Sequence, residues 1–295
     1  MHHPTTVLAE TLANEVSTTF DRNFGGRLPR GAEILRTAAR LIMERLALSD
    51  ALYHDAEHTA LVTLVAQDIL NGRRLSHNVA PDTWLHVVLA TLTHDVGYVR
   101  GVCRNDRDCC CVINDSGSMI DIPRGASDAF LGPYHVERSK IFVRERFGKH
   151  DIIDAERLSR AIELTRFPVP EETDRVELDT EAAMVRAADL IGQLGDPLYA
   201  KKLNALFHEF AETRTNEALG YASPADLADG YPSFFWSKVE PFLTDAIQCL
   251  EMTNEGRVWL AHMYAHVCVI EHGRRHMGPS IGRPLPRPAL RILTS

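Results

Sequence analysis

An all-α fold is what this sequence predicts, on three observations. Apolar residues recur at the 3.6-residue helical period along most of the chain. Strand-like alternation is almost absent. The 295 residues are 45% hydrophobic, ample for a core that needs no disulfide staples.

The first expected helix covers residues 31–48, where Ile34, Leu35, Ala38, Leu41, Ile42 and Leu46 repeat at spacings that put them on one face. A second runs from Asp55, a good N-cap residue, to Leu70, with Asn71-Gly72 as its stop, and carries His58 in its first turn. Residues 82–95 (DTWLHVVLATLTHD) form a strongly apolar helix stopped by Gly97, which leaves His94 and Asp95 in the last turn, where the backbone changes direction. His86, inside that helix, reads as structural. From 98 to 133 the pattern gives way to Gly, Cys, Asp, Asn, Ser and Pro, a long irregular insertion read as a lid or rim loop.

Helical periodicity returns at 134–147, 152–165 and 179–194, the last carrying Asp189, and again at 197–213, 234–251 and 254–273. The expected organisation is one helical domain over 1–272, with a core at about 50–200. An irregular tail follows over 273–295, where Pro279, Pro284, Pro286 and Pro288 stand among arginines. No internal repeat is evident.

Composition narrows the function classes. No apolar run reaches the roughly 20 residues that cross a bilayer, and Met1-His2-His3-Pro4 does not open a leader, so no membrane partner and a cytoplasmic protein are expected. A net charge of −8 argues against nucleic acid as the main partner but leaves room for a small anionic substrate held by a metal and local arginines. Homo-oligomerisation is left open. The 6 cysteines, at 103, 109, 110, 111, 249 and 268, match neither a disulfide framework nor paired zinc knuckles and read as reduced thiols. Cys109-Cys110-Cys111 reads as part of the loop rather than a second metal or redox centre.

His58, His94, Asp95 and Asp189 come from three separated helical segments and make a sufficient donor set for one divalent cation. Neutral imidazoles with carboxylates suit Mn, Mg, Fe, Ni, Co or Zn, in contrast to a thiolate-bound structural zinc. Such a set leaves coordination positions open for water and a phosphoryl oxygen, which makes phosphoester hydrolysis the natural reaction class.

The words THDVGY at 93–98 and AADLIGQ at 187–193, with the four donors, resemble the HD-domain metal-dependent phosphohydrolase superfamily over about residues 50–200. The resemblance implies metal ligands at His58, His94, Asp95 and Asp189, with Asp95 also counted among the catalytic groups. Tyr53-His54-Asp55-Ala56-Glu57-His58 is further similar to the YHNxxH segment of class I cyclic-nucleotide phosphodiesterases. That similarity implies His54 as the general acid and favours a cyclic nucleotide as substrate. An imidazole is suited to the role because its ordinary pKa lies near neutrality.

The chain departs from these families at Tyr98, where the phosphodiesterases carry a further His and the HD-GYP branch a Lys. It departs again at Glu163-Leu164-Thr165-Arg166, where that branch carries a His pair. His135 is then the residue available for a second metal or for substrate, with a contact to a carboxylate as its other reading. Arg100, Arg138 and Arg166, with Arg104 and Lys140, are expected phosphate contacts, since a guanidinium grips two oxygens at once. Gln193 reads as a helix cap in preference to a base contact, and His262 with His266 as ordinary helix packing. The expected function is metal-dependent hydrolysis of a small nucleotide-like phosphoester. The alternatives are a nucleotidase or dNTP triphosphohydrolase, and a non-catalytic metal- or nucleotide-binding regulator.

Overall fold

A computed structural model describes residues 3–167 and 180–272. The expected irregular tail, 273–295, lies outside the described residues. The class is all-α: helices account for the fold, and a single two-stranded pair is the only sheet among the described residues. No helix among them is long and apolar enough to cross a membrane.

The chain opens with a helix that the sequence reading does not assign, α1 (Pro4–Phe24), with proline in its first turn and His3 accepting from the Thr5 amide. Its Ala9, Leu12, Ala13, Val16 and Phe20 are buried and pack along α2 (Gly31–Leu46). In α2 the buried face is Leu35, Ala38, Ala39, Ile42, Met43 and Leu46. Leu41, expected on that face, is 54% exposed.

α3 (Ala56–Ser76) begins where expected, with the Asp55 side chain accepting from the His58 amide, a cap that contributes about 1 kcal/mol. It runs on past Asn71-Gly72, which lies inside the helix where α12 (Thr244–Glu251) crosses it. α4 (Pro81–Thr93) is buried at every position from Trp84 to Thr93, the pattern of a helix enclosed on all sides. It packs against α2, α3, α6 (Ala155–Glu163) and α7 (Thr180–Leu194). His86 is structural, as read: its Nδ1–H donates to the Asp82 carbonyl at 2.8 Å and its Nε2 accepts from the Asp154 amide at 2.9 Å, tying α4 to the start of α6.

The segment expected to be irregular, 98–133, is largely structured. Strands β1 (Cys110–Val112) and β2 (Met119–Asp121) pair antiparallel with Cys111 opposite Ile120, and a 3-10 run at Asp128–Tyr134 leads into α5 (His135–Phe147). Three residues per strand are too few to show an alternation pattern in sequence.

α8 (Tyr199–Glu212), α9 (Thr215–Leu219) and α10 (Pro224–Asp229) follow α7. The single helix expected at 234–251 is instead broken into α11 (Tyr231–Phe234), a π turn at Phe235–Val239, a 3-10 turn at Glu240–Phe242 and α12. Pro241 brings no N–H to an intrahelical bond, which accounts for the break. α13 (Asn254–His272) closes the described chain, and His266 Nε2–H donates to the Asp196 carbonyl at 2.9 Å as a packing contact. One hydrophobic core reaches from Ala9 to Val267.

Candidate active site

Two helix ends and the body of a third helix gather the donors. The Asp55 cap fixes the first turn of α3 and with it His58. At the end of α4 the chain leaves the helix: His94 is still helical, whereas Asp95 has φ −104 and ψ 2 and starts the short 3-10 turn Val96–Tyr98. Adjacent side chains can therefore reach one point. The turn is pinned to α5, because Ser139 Oγ donates to the His94 carbonyl at 2.6 Å and accepts from the Gly97 amide at 2.9 Å. Gly97 is required there, since a Cβ on it would stand 2.0 Å from the His135 carbonyl oxygen. Asp189 arrives on α7, which lies so close to α3 that a Cβ on Gly192 would stand 2.8 Å from Val62 Cα.

The result is a compact cluster. His58 Nε2 lies 3.4 Å from Asp95 Oδ2 and 3.3 Å from Asp189 Oδ1, and His94 Nε2 lies 3.1 Å and 3.5 Å from the same two oxygens. His58, His94 and Asp95 are buried, while Asp189 keeps 19% of its side chain exposed.

Burial alone would depress the His58 pKa, but the Asp189 and Asp95 carboxylates lift it to about 9. His94 goes well above its ordinary value for the same reason: burial opposes the charge and the two carboxylates prevail. Burial would raise Asp189, yet the paired imidazoles bring it down to about 2, and Asp95 is held well below the usual carboxylate range. The pocket therefore favours positive charge between these groups.

His94 Nδ1 sits 2.8 Å from the Thr91 carbonyl, and a carbonyl only accepts, so Nδ1 carries a proton. Nε2 faces Asp95 Oδ2 at 3.1 Å, and neither atom has a hydrogen-bond partner among the described residues. The positive charge this arrangement calls for is met either by a second ring proton, which the raised pKa favours when no ion is bound, or by a bound cation. Donors about 2.0–2.2 Å from a common ion are roughly 3.0–3.6 Å apart on neighbouring vertices, the spacing found here. The carbonyl behind the ligating ring is also the usual support for a metal-binding histidine. The residues present thus fit a divalent cation held by His58, His94, Asp95 and Asp189.

A second set of groups lies beside the first. Glu209, on α8, is 4% exposed and takes three contacts from the segment before α3. The Tyr53 amide donates to its Oε1 at 2.6 Å, the His54 amide to the same oxygen at 3.2 Å, and His54 Nδ1 stands 2.5 Å from Oε2. Burial would lower the His54 pKa, but Glu209 raises it, and Glu209 itself is lowered by His54 against its own burial. Glu209 is not among the site residues expected from sequence; its signal there is a carboxylate on the buried face of a helix that also carries Leu206.

Tyr98, the residue that departs from the family patterns, stacks between two imidazoles. Its ring centroid is 4.6 Å from that of His54 at 10° and 4.5 Å from that of His135 at 20°. His135 points Nε2 at Asp95 Oδ1 across 3.6 Å, while its Nδ1–H donates to the Gly132 carbonyl at 2.5 Å. Asp95 thus turns one oxygen to His58 and His94 and the other to His135.

The expected phosphate contacts separate. Arg166 lines the cavity beside the cluster, with Nε donating to Glu163 at 2.6 Å and a terminal nitrogen to Glu137 at 2.6 Å. Lys140 is paired to Glu137 and Glu163, and Arg104 lies outside this cavity. Arg138 is a correction. It is fully buried, and its five N–H donors go to the carbonyls of Gly97, Val99 and Val112 and to both oxygens of Asp106, so none is left for a phosphate. Arg100 is a second correction: it holds Asp128, the Ala126 carbonyl and Asp50, anchoring the 3-10 run instead of facing the cavity. Gln193 corrects the cap reading, since it lines the cavity and bonds the Tyr199 hydroxyl.

His54, Asp95, Tyr98, His135, Asp189 and Glu209 open onto a cavity of about 430 Å³, within the usual range for small-molecule sites. Fold and site together define an all-α protein with a buried His/Asp donor cluster in the wall of a cavity. The chain belongs to the Npun_R2479-like family, whose family model matches residues 2–273. No curated protein and no solved structure matches it.

Proposed function

We propose that this protein is a metal-dependent phosphohydrolase of the HD type, cleaving a phosphoester bond in a small nucleotide-like substrate, with a cyclic nucleotide favoured. The observation that carries the reading is the facing pair His94 Nε2 and Asp95 Oδ2, both buried and unpartnered among the described residues, with His58 and Asp189 completing the ring of donors. A divalent ion bound there (Mn, Mg, Fe, Ni, Co or Zn) supplies Lewis acidity to a phosphoryl oxygen and to water.

The chain's own residues do the rest. Asp189, the exposed edge of the donor ring, faces the incoming phosphate side of the cavity. His54 lies next to the ring, with centroids 5.5 Å from those of His58, and delivers a proton to the departing oxygen from Nε2. Glu209 fixes the ring by its Nδ1 bond and favours its protonated form, against burial. Tyr98 stacks on that imidazole and is backed in turn by His135. His135, opposite the second oxygen of Asp95, is suited to a second cation or to substrate. The free cysteines fit a reducing, cytoplasmic setting.

The test is a panel of cyclic mononucleotides, cyclic dinucleotides and dNTPs with each of the six metals, with elemental analysis of protein purified without chelator. Release of phosphate or linear nucleotide, abolished in His54→Ala protein that retains its metal, is the expected result. A metal-free protein, or no release from any member, overturns the reading and leaves a non-catalytic binder.

A further inference from the structure

The run Cys109-Cys110-Cys111, expected from sequence to be plain loop, is divided by the hairpin into two environments. Cys111 is buried in β1, whereas Cys109 is exposed and Cys110 half-buried. Residues 107–110 form a tight turn, in which the Cys110 amide donates to the Arg107 carbonyl at 3.3 Å and the Arg107 amide to the Cys110 carbonyl at 2.9 Å. Along a straight strand neighbouring side chains point to opposite faces. At this turn they meet instead, and the Cys109 and Cys110 thiols hydrogen-bond one another. The turn is held from both sides: Arg138 binds Asp106 before it and the Val112 carbonyl after it, and the Ile122 amide donates to the Cys109 carbonyl at 2.9 Å. A thiol pair is thus presented on fixed backbone, away from the residues that line the cavity.

We propose that Cys109 and Cys110 form a dithiol site for a soft, thiol-seeking centre, with trivalent arsenic as the class the geometry suits. Size separates the uses to which two adjacent thiols can be put. A disulfide normally joins Cα atoms about 4.4–6.8 Å apart, while neighbouring Cα atoms across a trans peptide are only about 3.8 Å apart, so closing the pair directly would distort the turn. Partial burial and the adjoining Cys109 thiol also push the Cys110 pKa up, which disfavours the thiolate that disulfide exchange requires. Structural zinc takes four ligands. Among the described residues, the His, Cys, Asp and Glu side chains grouped in threes around one point are His58, His94 and Asp95, so Asp121, opposite Cys110 in the ladder, does not extend the thiol pair to such a group.

A soft centre that needs two thiolates and brings its own third substituent fits what remains. Two sulfurs each about 2.3 Å from a common atom lie roughly 3.3–3.8 Å apart, a spacing suited to thiols already in hydrogen-bond contact. The clamped turn holds them there before the ligand arrives, which lowers the ordering cost of binding. With an organic arsenoxide, R–As=O, each sulfur forms one bond to arsenic as the arsenic–oxygen bond is lost. The oxygen leaves as one water carrying both thiol protons. Arsenic stays trivalent, and no oxidant or reductant is consumed.

The test needs neither bound metal nor turnover, so its outcome is independent of the phosphohydrolase reading. Phenylarsine oxide is added at one equivalent to the reduced full chain. The expected result is one phenylarsenic group per chain by intact mass, with two thiols lost from those that react with a chromogenic disulfide. The adduct should resist excess β-mercaptoethanol, a monothiol, and be released by dithiothreitol. Two-point attachment should exceed one-point attachment by about a hundredfold or more, so Cys109→Ser and Cys110→Ser should each weaken binding by that factor. Cys268→Ser, which removes the exposed thiol of α13, should leave it unchanged. Circular dichroism checks that the variants fold, and peptide mapping of the adduct on the unsubstituted chain decides the question if one does not. Cys111 and Cys103 are buried, the latter with its thiol pushed up to about 12 by that burial, and should be absent from the map. No adduct, an adduct that β-mercaptoethanol removes, one that maps to other cysteines, or one that survives either serine substitution in folded protein overturns the proposal.

Discussion

His54 Nδ1 and Glu209 Oε2 stand 2.5 Å apart, a contact between side chains 155 residues apart in sequence that ties α8 to the approach to α3. The carboxylate also takes the Tyr53 and His54 amides, so it orients the backbone and the ring together. His54→Ala tests the acid; Glu209 tests what the acid needs.

Glu209→Gln keeps the backbone acceptor but removes the negative charge. Turnover should fall by about tenfold to a hundredfold, a part of what a general acid contributes, with metal content unchanged. The sign in pH follows from the raised His54 pKa: an acid must be protonated, so the rate falls as pH rises through that value. Without Glu209 the value drops and the falling limb moves to lower pH. A pH–rate profile with an unmoved limb would remove His54 from the proton-transfer role.

Metal removal should destabilise the fold by the binding free energy that is lost, less what His94 recovers by taking up a proton beside Asp95 and Asp189 in the ion's place. An ion present at a hundredfold over its dissociation constant adds about 2.7 kcal/mol to unfolding. Thermal melts before and after chelation, and again after Mn is restored, read this directly. Asp189→Ala should lose most of the bound ion and most of the thermal response.

Arg138→Met should cost about 3 kcal/mol or more in urea unfolding, since it strands buried Asp106 and three carbonyls. Arg138→Lys should not rescue it, as three donors on a flexible stem cannot replace five in a fixed plane. A variant with full stability and selectively weakened phosphate binding would restore the role expected from sequence.

Gly97→Ala should cost about 1–3 kcal/mol, since the new methyl must push α5 away from the 3-10 turn that carries Asp95. The same movement displaces His135. Metal affinity and stability should therefore decline together, measured by competition with a chromogenic chelator and by urea titration.

The residues explain why some of this was legible in sequence and some was not. The doublet His94-Asp95 and the capped His58 are local features, readable from a stop signal and an N-cap. Their meeting with Asp189 depends on two helices approaching at Gly192 and Val62, which spacing alone does not encode. Glu209 was hidden for the same reason, its partner being in a distant segment. Arg138 reads as a phosphate contact on α5 because the hairpin that helps to bury it is too short to show in the sequence pattern. α1 is different: Ala9, Leu12, Ala13, Val16 and Phe20 carry the helical period openly.

α8 bears Leu206 and Phe210 against the cavity and Glu209 against His54 within one helical turn. Whatever body presses on those two apolar side chains leans on the same rigid rod that aims the proton donor. Redesign aimed at a new ligand would therefore retune acidity as well, and a tight-fitting but wrongly shaped guest would act as an inhibitor by tilting the imidazole as much as by filling space.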